Sequence, residues 1–216
     1  MTPITQLIIN NELNNFVLND KQLSRLLGGS NERRYGQVNR AMKTGDLIRV
    51  KRGLYVLANK YRDKQIHPFT LAQQLIPSSY ISAESALSYH GWIPESAQSI
   101  FSITAKKKSV SYENETLGKF EFQRMTTKPD YFLQSVTRYE LQEQVALIAD
   151  PMRALLDLMY LRKTHWQGLD YLLKGLRIDE ASIRSVSSAT LKNLFPVYKG
   201  KRENMFIEKL LRALDL

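Results

Sequence analysis

Residues 31–57 read NERRYGQVNRAMKTGDLIRVKRGLYVL and carry two hydrophobic periods in succession. Over residues 31–44 the period is helical. Tyr35, Val38, Ala41 and Met42 share the expected inner face, while Arg33, Gln37 and Arg40 share the outer one with Arg34 and Lys43 beside them. Gly45 ends the segment. Residues 46–50 and 53–57 are then strand-like, with Leu47, Ile48, Val50, Leu54 and Val56 for the sheet and Arg49, Lys51 and Arg52 at the tip of the hairpin between them. A basic helix followed at once by a tight basic hairpin predicts a winged helix, provided that a partner helix precedes it.

That partner is legible upstream. Leu7, Ile8 and Ile9 mark a short first helix. Asn19 and Asp20 are good N-caps for a second helix through Leu27, with Leu23, Leu26 and Leu27 facing inward. Gly28-Gly29 closes it because glycine tolerates the left-handed conformation, and Ser30 caps the third helix. Two short helices joined by a glycine turn have helix-turn-helix geometry.

The charge distribution agrees. The chain of 216 residues has a net charge of +10. Residues 20–64 hold twelve Lys/Arg against four Asp/Glu, a net of +8, and the rest of the chain holds nineteen against seventeen. A local excess of this kind is the footprint of a polyanion partner, with a solvated basic face as the bland alternative. An α-helix fits the major groove of double-stranded DNA, where Arg can pair with guanine and Gln with adenine. Arg33, Arg34 and Gln37, near the helix N-terminus, are the candidates for base readout. Arg40 and Lys43, together with Lys51 and Arg52 of the wing, are the candidates for phosphate and minor-groove contacts.

Composition excludes other classes. There is no cysteine, hence no disulfide framework and no thiolate metal site. No apolar run approaches the length needed to span a bilayer, and the first residues do not read as a signal peptide, so the expectation is a cytoplasmic protein without a membrane partner.

The chain divides, on this reading, into a winged-helix domain over residues 1–60, a polar linker over 61–67 and an α+β domain over 68–216. In the last, helices are expected at 69–76 and 82–90 with a short extended stretch at 80–81 before the second, strands at 99–105, 119–125 and 145–149, and a polar connection between the first two strands. Asp150-Pro151 then starts a largely buried helix through Arg162. Helical stretches follow at 166–176, at 179–194 (in one piece or two) and at 202–214. The overall class is α+β, with a small sheet and a helical C-terminal half.

Catalytic constellations are thin. Ser82, Glu84 and His90 lie close in sequence, but a triad is defined in space, and Ser82 reads as a helix cap. His67, His90 and His165 lack metal-ligand spacing. Asp150 and Asp157 read as a cap and as a partner for Arg153 or Arg162. No glycine-rich phosphate loop appears. The expectation is a protein that is not an enzyme and needs no cofactor.

Three segments taken in order, LLGGSNERRYGQVNRAMKTGDLIRVKRGLYVL, YISAESALSYHGWIPE and VALIADPMRALLDLMYLR, resemble the AbiEi family of antitoxins from bacterial type IV toxin–antitoxin systems. They span residues 26–162. Where the family often has Ser-Pro-Glu-Lys, this chain has Asp150-Pro151-Met152-Arg153, which keeps a cap, a proline and a basic residue. The resemblance implies a winged helix that binds inverted repeats in its own promoter. It also implies a C-terminal domain that neutralises a co-encoded nucleotidyltransferase-like toxin, with or without direct contact. The DNA contacts would fall on Arg33, Arg34, Gln37, Arg40, Lys51 and Arg52. The exposed run Lys106, Lys107 and Lys108 is the candidate antitoxic surface. The rival reading is a winged-helix transcription regulator whose second domain senses a ligand or partner.

Overall fold

The computed structural model describes residues 1–95 and 98–216. The chain is α+β and forms two compact units, Met1–Leu75 with Asn114–Leu117, and Ile76–Glu113 with Gly118–Leu216.

The first unit runs α1 (Pro3–Asn10), β1 (Leu18–Asn19), α2 (Asp20–Leu27), α3 (Asn31–Lys43), β2 (Leu47–Lys51), β3 (Leu54–Leu57), a 3-10 turn (Asn59–Tyr61) and α4 (Pro68–Leu75). Its three strands lie in the order β1-β3-β2 with antiparallel pairing throughout. Local chemistry sets the helix starts. The Asn19 side chain accepts from the Gln22 amide at 3.0 Å while the Gln22 side chain accepts from the Asn19 amide at 2.9 Å, a reciprocal capping box. The Ser30 hydroxyl caps α3 through the Arg33 amide at 3.3 Å. Between the two helices Gly28 and Gly29 both take positive φ, +57° and +68°. The helices and sheet close over Ile4, Ile8, Leu18, Leu23, Val38, Ala41, Leu47, Tyr55 and Leu57. Leu26, Leu27 and Met42 pack at its edge as half-buried side chains.

The expected linker over residues 61–67 does not behave as one. The Asp63 carboxylate accepts from Asn14 at 2.8 Å, the Asn15 side chain accepts from the Asp63 and Lys64 amides, and Ile66 is buried. These contacts tie the segment to the loop after α1, and α4 also belongs to the first unit, so the division falls after Leu75. A polar composition signals solvent contact, and here it supplies side chains that hydrogen-bond the chain in place.

The second unit contains β4 (Ser79–Ile81), α5 (Ala83–Tyr89), β5 (Ile100–Thr104), β6 (Val110–Asn114), β7 (Gly118–Arg124), β8 (Val136–Leu141), β9 (Gln144–Ala149), α6 (Pro151–Leu161), a π-helical turn (Tyr171–Gly175), α7 (Glu180–Arg184), α8 (Ser188–Lys192) and α9 (Lys201–Ala213). Its six strands lie in the order β6-β7-β5-β4-β9-β8. The β5–β7 and β4–β9 pairs are parallel, and β4–β5 and β8–β9 are antiparallel. Two strands of this unit escaped the sequence reading. β6 lies inside the expected polar connection, and β8 is an edge strand in which only Leu141 is buried, so neither shows a clear period of two. The stretch 166–176 narrows to the π-helical turn, and 179–194 divides into α7 and α8.

A buried polar cluster knits this unit together. Arg153 and Asp157, one turn apart on α6, are both fully buried and pair at 2.9 Å. Asp157 also accepts from the Ser82 hydroxyl at 2.7 Å, the Tyr198 hydroxyl at 2.8 Å and the Tyr80 hydroxyl at 2.9 Å. That fills the four acceptor positions of its carboxylate. Arg153 donates onward to the carbonyls of Gln134 at 2.6 Å and Phe132 at 3.2 Å. Burial opposes the charge on Arg153, and the Asp157 carboxylate with the two tyrosines more than offsets it, so its pKa is raised. Ser82 is thus a ligand of Asp157 and makes no cap bond to α5, contrary to the sequence expectation.

Candidate nucleic-acid interface

Helix α3 is held from behind. Val38 and Ala41 are buried, and the chain after it turns at Gly45 into β2. At that turn sits Asp46, 2% exposed. Its carboxylate accepts from the Tyr61 hydroxyl and the Thr2 amide, each at 2.7 Å, and lies 3.4 Å from the Lys60 ammonium. The Tyr61 hydrogen bond, helped by Thr2 and Lys60 and opposed by burial, holds the Asp46 carboxyl well below the usual carboxylate range. One carboxylate therefore fastens the α3–β2 junction to the start of α1 and to the 3-10 turn. Nothing in the local sequence marks this role.

The hairpin closes through Arg52-Gly53, with Lys51 opposite Leu54 and a register irregularity between Arg49 and Lys51. Gly53 has φ +76°, a conformation that favours glycine, and a Cβ there would lie 2.6 Å from the Asp20 carboxylate, which would have to shift where the hairpin meets the start of α2. The Asp20 amide donates to the Gly53 carbonyl at 3.2 Å, which ties hairpin and α2 into one frame.

The sequence-derived candidates fall into three groups. Arg33, Arg40, Lys43 and Arg52 are exposed, and among the described residues no carboxylate lies within ion-pair distance of any of them. Gln37 is half-buried on the same helix. Arg34 and Lys51 are instead engaged with the backbone. Arg34 donates to the Gly29 carbonyl at 2.8 Å and to the Asn31 side chain, bracing the turn before α3. The Lys51 ammonium meets the Leu75 carbonyl, at the end of α4. The third group, Lys106, Lys107 and Lys108, is exposed in the second unit just after β5, where the Lys106 amide donates to the Thr104 hydroxyl at 3.2 Å.

Tyr35 corrects the sequence reading outright. Grouped by helical period with Val38, Ala41 and Met42, it is instead 69% exposed. Ideal helical spacing explains this: Tyr35 lies about 60° further round than Val38, beyond the edge of the buried stripe centred between Val38 and Ala41.

Comparison with known proteins speaks to the fold. No protein-family model matches the chain, and no curated protein matches it. A solved structure does: the crystal structure of RV2827C protein from Mycobacterium tuberculosis superposes with a TM-score of 0.65 at 12% identity, covering 99% of this chain and 78% of that one. The two share a fold. At that identity the likeness extends to architecture alone.

The carboxylates and the histidines are dispersed. Asp150 precedes α6 but makes no cap bond to it, contrary to the sequence expectation, and accepts instead from the Thr137 hydroxyl at 2.8 Å; Asp157 is saturated in the buried cluster, and Glu84 pairs with Arg162 at 2.7 Å. His90 meets the Ala149 carbonyl at 2.9 Å, and burial, only partly opposed by that carbonyl and by Asp150, lowers its pKa. Ser82, Glu84 and His90 thus look toward three separate partners. Among the described residues no group of three or more His, Asp or Glu is arranged to hold a metal ion, and no helix is long and apolar enough to cross a membrane.

Proposed function

We propose that the first unit is a winged helix-turn-helix that binds double-stranded DNA, with α3 in the major groove and the β2–β3 hairpin as the wing. The observation that carries this is the outer face of α3. Arg33, Arg40 and Lys43 project from one helix with no acidic partner among the described residues, and Arg52 projects from the hairpin that follows. Cations left unpaired on a braced scaffold are available to phosphates and base edges. Arg34 and Lys51 serve this reading as braces, at the turn before the helix and at the base of the wing tip.

We further propose that the chain acts in the cytoplasm as an AbiEi-type antitoxin. It would repress its own operon through the first unit and neutralise a nucleotidyltransferase-like toxin through the second. The support is the order of the three sequence segments that resemble the family, which form α3–β3, β4–α5 and β9–α6.

Two experiments test the proposal. Fluorescence anisotropy with a duplex taken from immediately upstream of the protein's own reading frame should show binding that falls steeply with salt. Affinity equal to that for a scrambled duplex would remove the operator claim. Separately, the neighbouring gene is expressed alone and then with this protein supplied from an unrelated promoter. Rescue of growth supports antitoxicity, and a harmless or unrescued neighbour leaves a DNA-binding regulator.

A further inference from the structure

Every glycine of the chain except one has a reason inside the fold. Seven of the ten have positive φ. A Cβ on Gly175 would press against the Tyr171 ring at 3.1 Å, and one on Gly200 would collide with the Glu203 carboxylate. Gly36 has neither reason. It lies in the body of α3 with helical backbone, is exposed, and a Cβ added to it meets nothing within 4 Å. Glycine in a helix interior is destabilising relative to alanine, because the unfolded chain has more freedom to lose. The first unit would be more stable with alanine here, and nothing within it objects.

The position of Gly36 supplies the missing reason. It is three residues after Arg33, four before Arg40 and seven before Lys43, so it lies in the middle of the outer face with a cation about one turn away on each side. A helix laid in a groove comes closest to the groove floor at its middle, while its ends rise toward the phosphates. We infer that Gly36 is the point of closest approach between α3 and DNA. Its bare backbone rests against base-pair edges in the major groove, and Arg33 and Arg40 straddle it. The missing side chain sets how deep the helix can sit, and so whether Arg33 reaches the base edge it reads and Arg40 the phosphate it holds. The inference rests on the DNA-binding reading and assigns Gly36 a positioning role in it.

The test separates folding from binding within one variant. Gly36→Ala should raise the thermal midpoint by about 2–4 °C, as relief of a helix-interior glycine in a chain of this size predicts. The same variant should bind the duplex from upstream of its reading frame at least about tenfold more weakly, with affinity for a scrambled duplex changed less than about twofold. Gly36→Leu, a good helix former with a longer side chain, should abolish the preference for the upstream duplex altogether. Unchanged affinity of Gly36→Ala, with the parent still preferring the upstream duplex, would overturn the inference and leave the DNA-binding reading in place. A lowered midpoint would overturn it too, by showing that the fold itself needs the glycine. If the parent shows no preference for the upstream duplex, the reading fails and takes the inference with it.

Discussion

Arg33 and Arg153 are each the third residue of a helix, α3 in the first unit and α6 in the second, and the protein treats them in opposite ways. Arg153 is wholly buried and has Asp157 one turn along. Arg33 is exposed and has Gln37 at the corresponding place, a side chain that hydrogen-bonds without cancelling charge. A buried cation must be paired and saturated, because an isolated one would cost several kcal/mol, roughly, to keep from water. An exposed cation has no such requirement, and leaving it unpaired keeps its field for a partner. The residue at i+4 and the degree of burial together decide whether an arginine organises the interior or faces outward.

The largest effect expected from breaking this contrast lies in α6. Asp157→Ala leaves Arg153 charged and buried, and removes the acceptor of Ser82, Tyr80 and Tyr198 at the same stroke. Loss of about 3–5 kcal/mol in urea or thermal unfolding is the expected result, and a loss below about 1 kcal/mol would show that the cluster is not what holds the second unit.

Asp46 is the first unit's counterpart to Asp157. Asp46→Asn keeps the shape and removes the charge that accepts from Tyr61 and Thr2 and pairs with Lys60, for an expected cost of about 1–3 kcal/mol at neutral pH. Because its folded pKa is depressed, the stability it contributes is present above the unfolded carboxylate value of about 3.9 and is lost as pH falls from there toward the lower folded value. Below about pH 4 the parent should therefore lose stability faster than Asp46→Asn. Parallel acid limbs in the two unfolding profiles would count against the anchor.

On α3 the contrast predicts effects on binding rather than folding. Arg33→Ala should weaken binding to the upstream duplex by about 1–3 kcal/mol and relax its specificity, with the unfolding midpoint nearly unchanged. Gln37→Glu copies the pairing of α6 onto α3. It should leave stability within about 0.5 kcal/mol of the parent while weakening binding and its salt dependence. If neither variant alters binding, the outer face of α3 is merely solvated.

The smallest effects separate Arg52 from Lys51. Loss of one phosphate contact shallows the slope of log K against log salt by about 0.9. Arg52→Ala should approach that figure, and Lys51→Ala, whose ammonium is held by the Leu75 carbonyl, should fall well short of it. Equal changes in slope would mean that Lys51 leaves Leu75 when DNA binds.

The sequence by itself determined what neighbouring residues can settle between themselves. The caps at Asn19 and Ser30, the glycine pair that stops α2, the α3 span and the proline that opens α6 all rest on interactions within a few residues, and each stands in the structure where local chemistry puts it. Tertiary structure alone decided what depends on partners far along the chain. Asp157 is joined by residues 75, 77 and 41 positions away, β5 runs parallel to β7, and the polar segment before α4 is fastened by side chains nearly fifty residues earlier. The same limit explains why Tyr35, grouped with Val38, Ala41 and Met42 by helical spacing, is exposed, and why the carbonyl that meets the Lys51 ammonium could not be foreseen: both follow from surfaces that appear only once the chain has closed on itself.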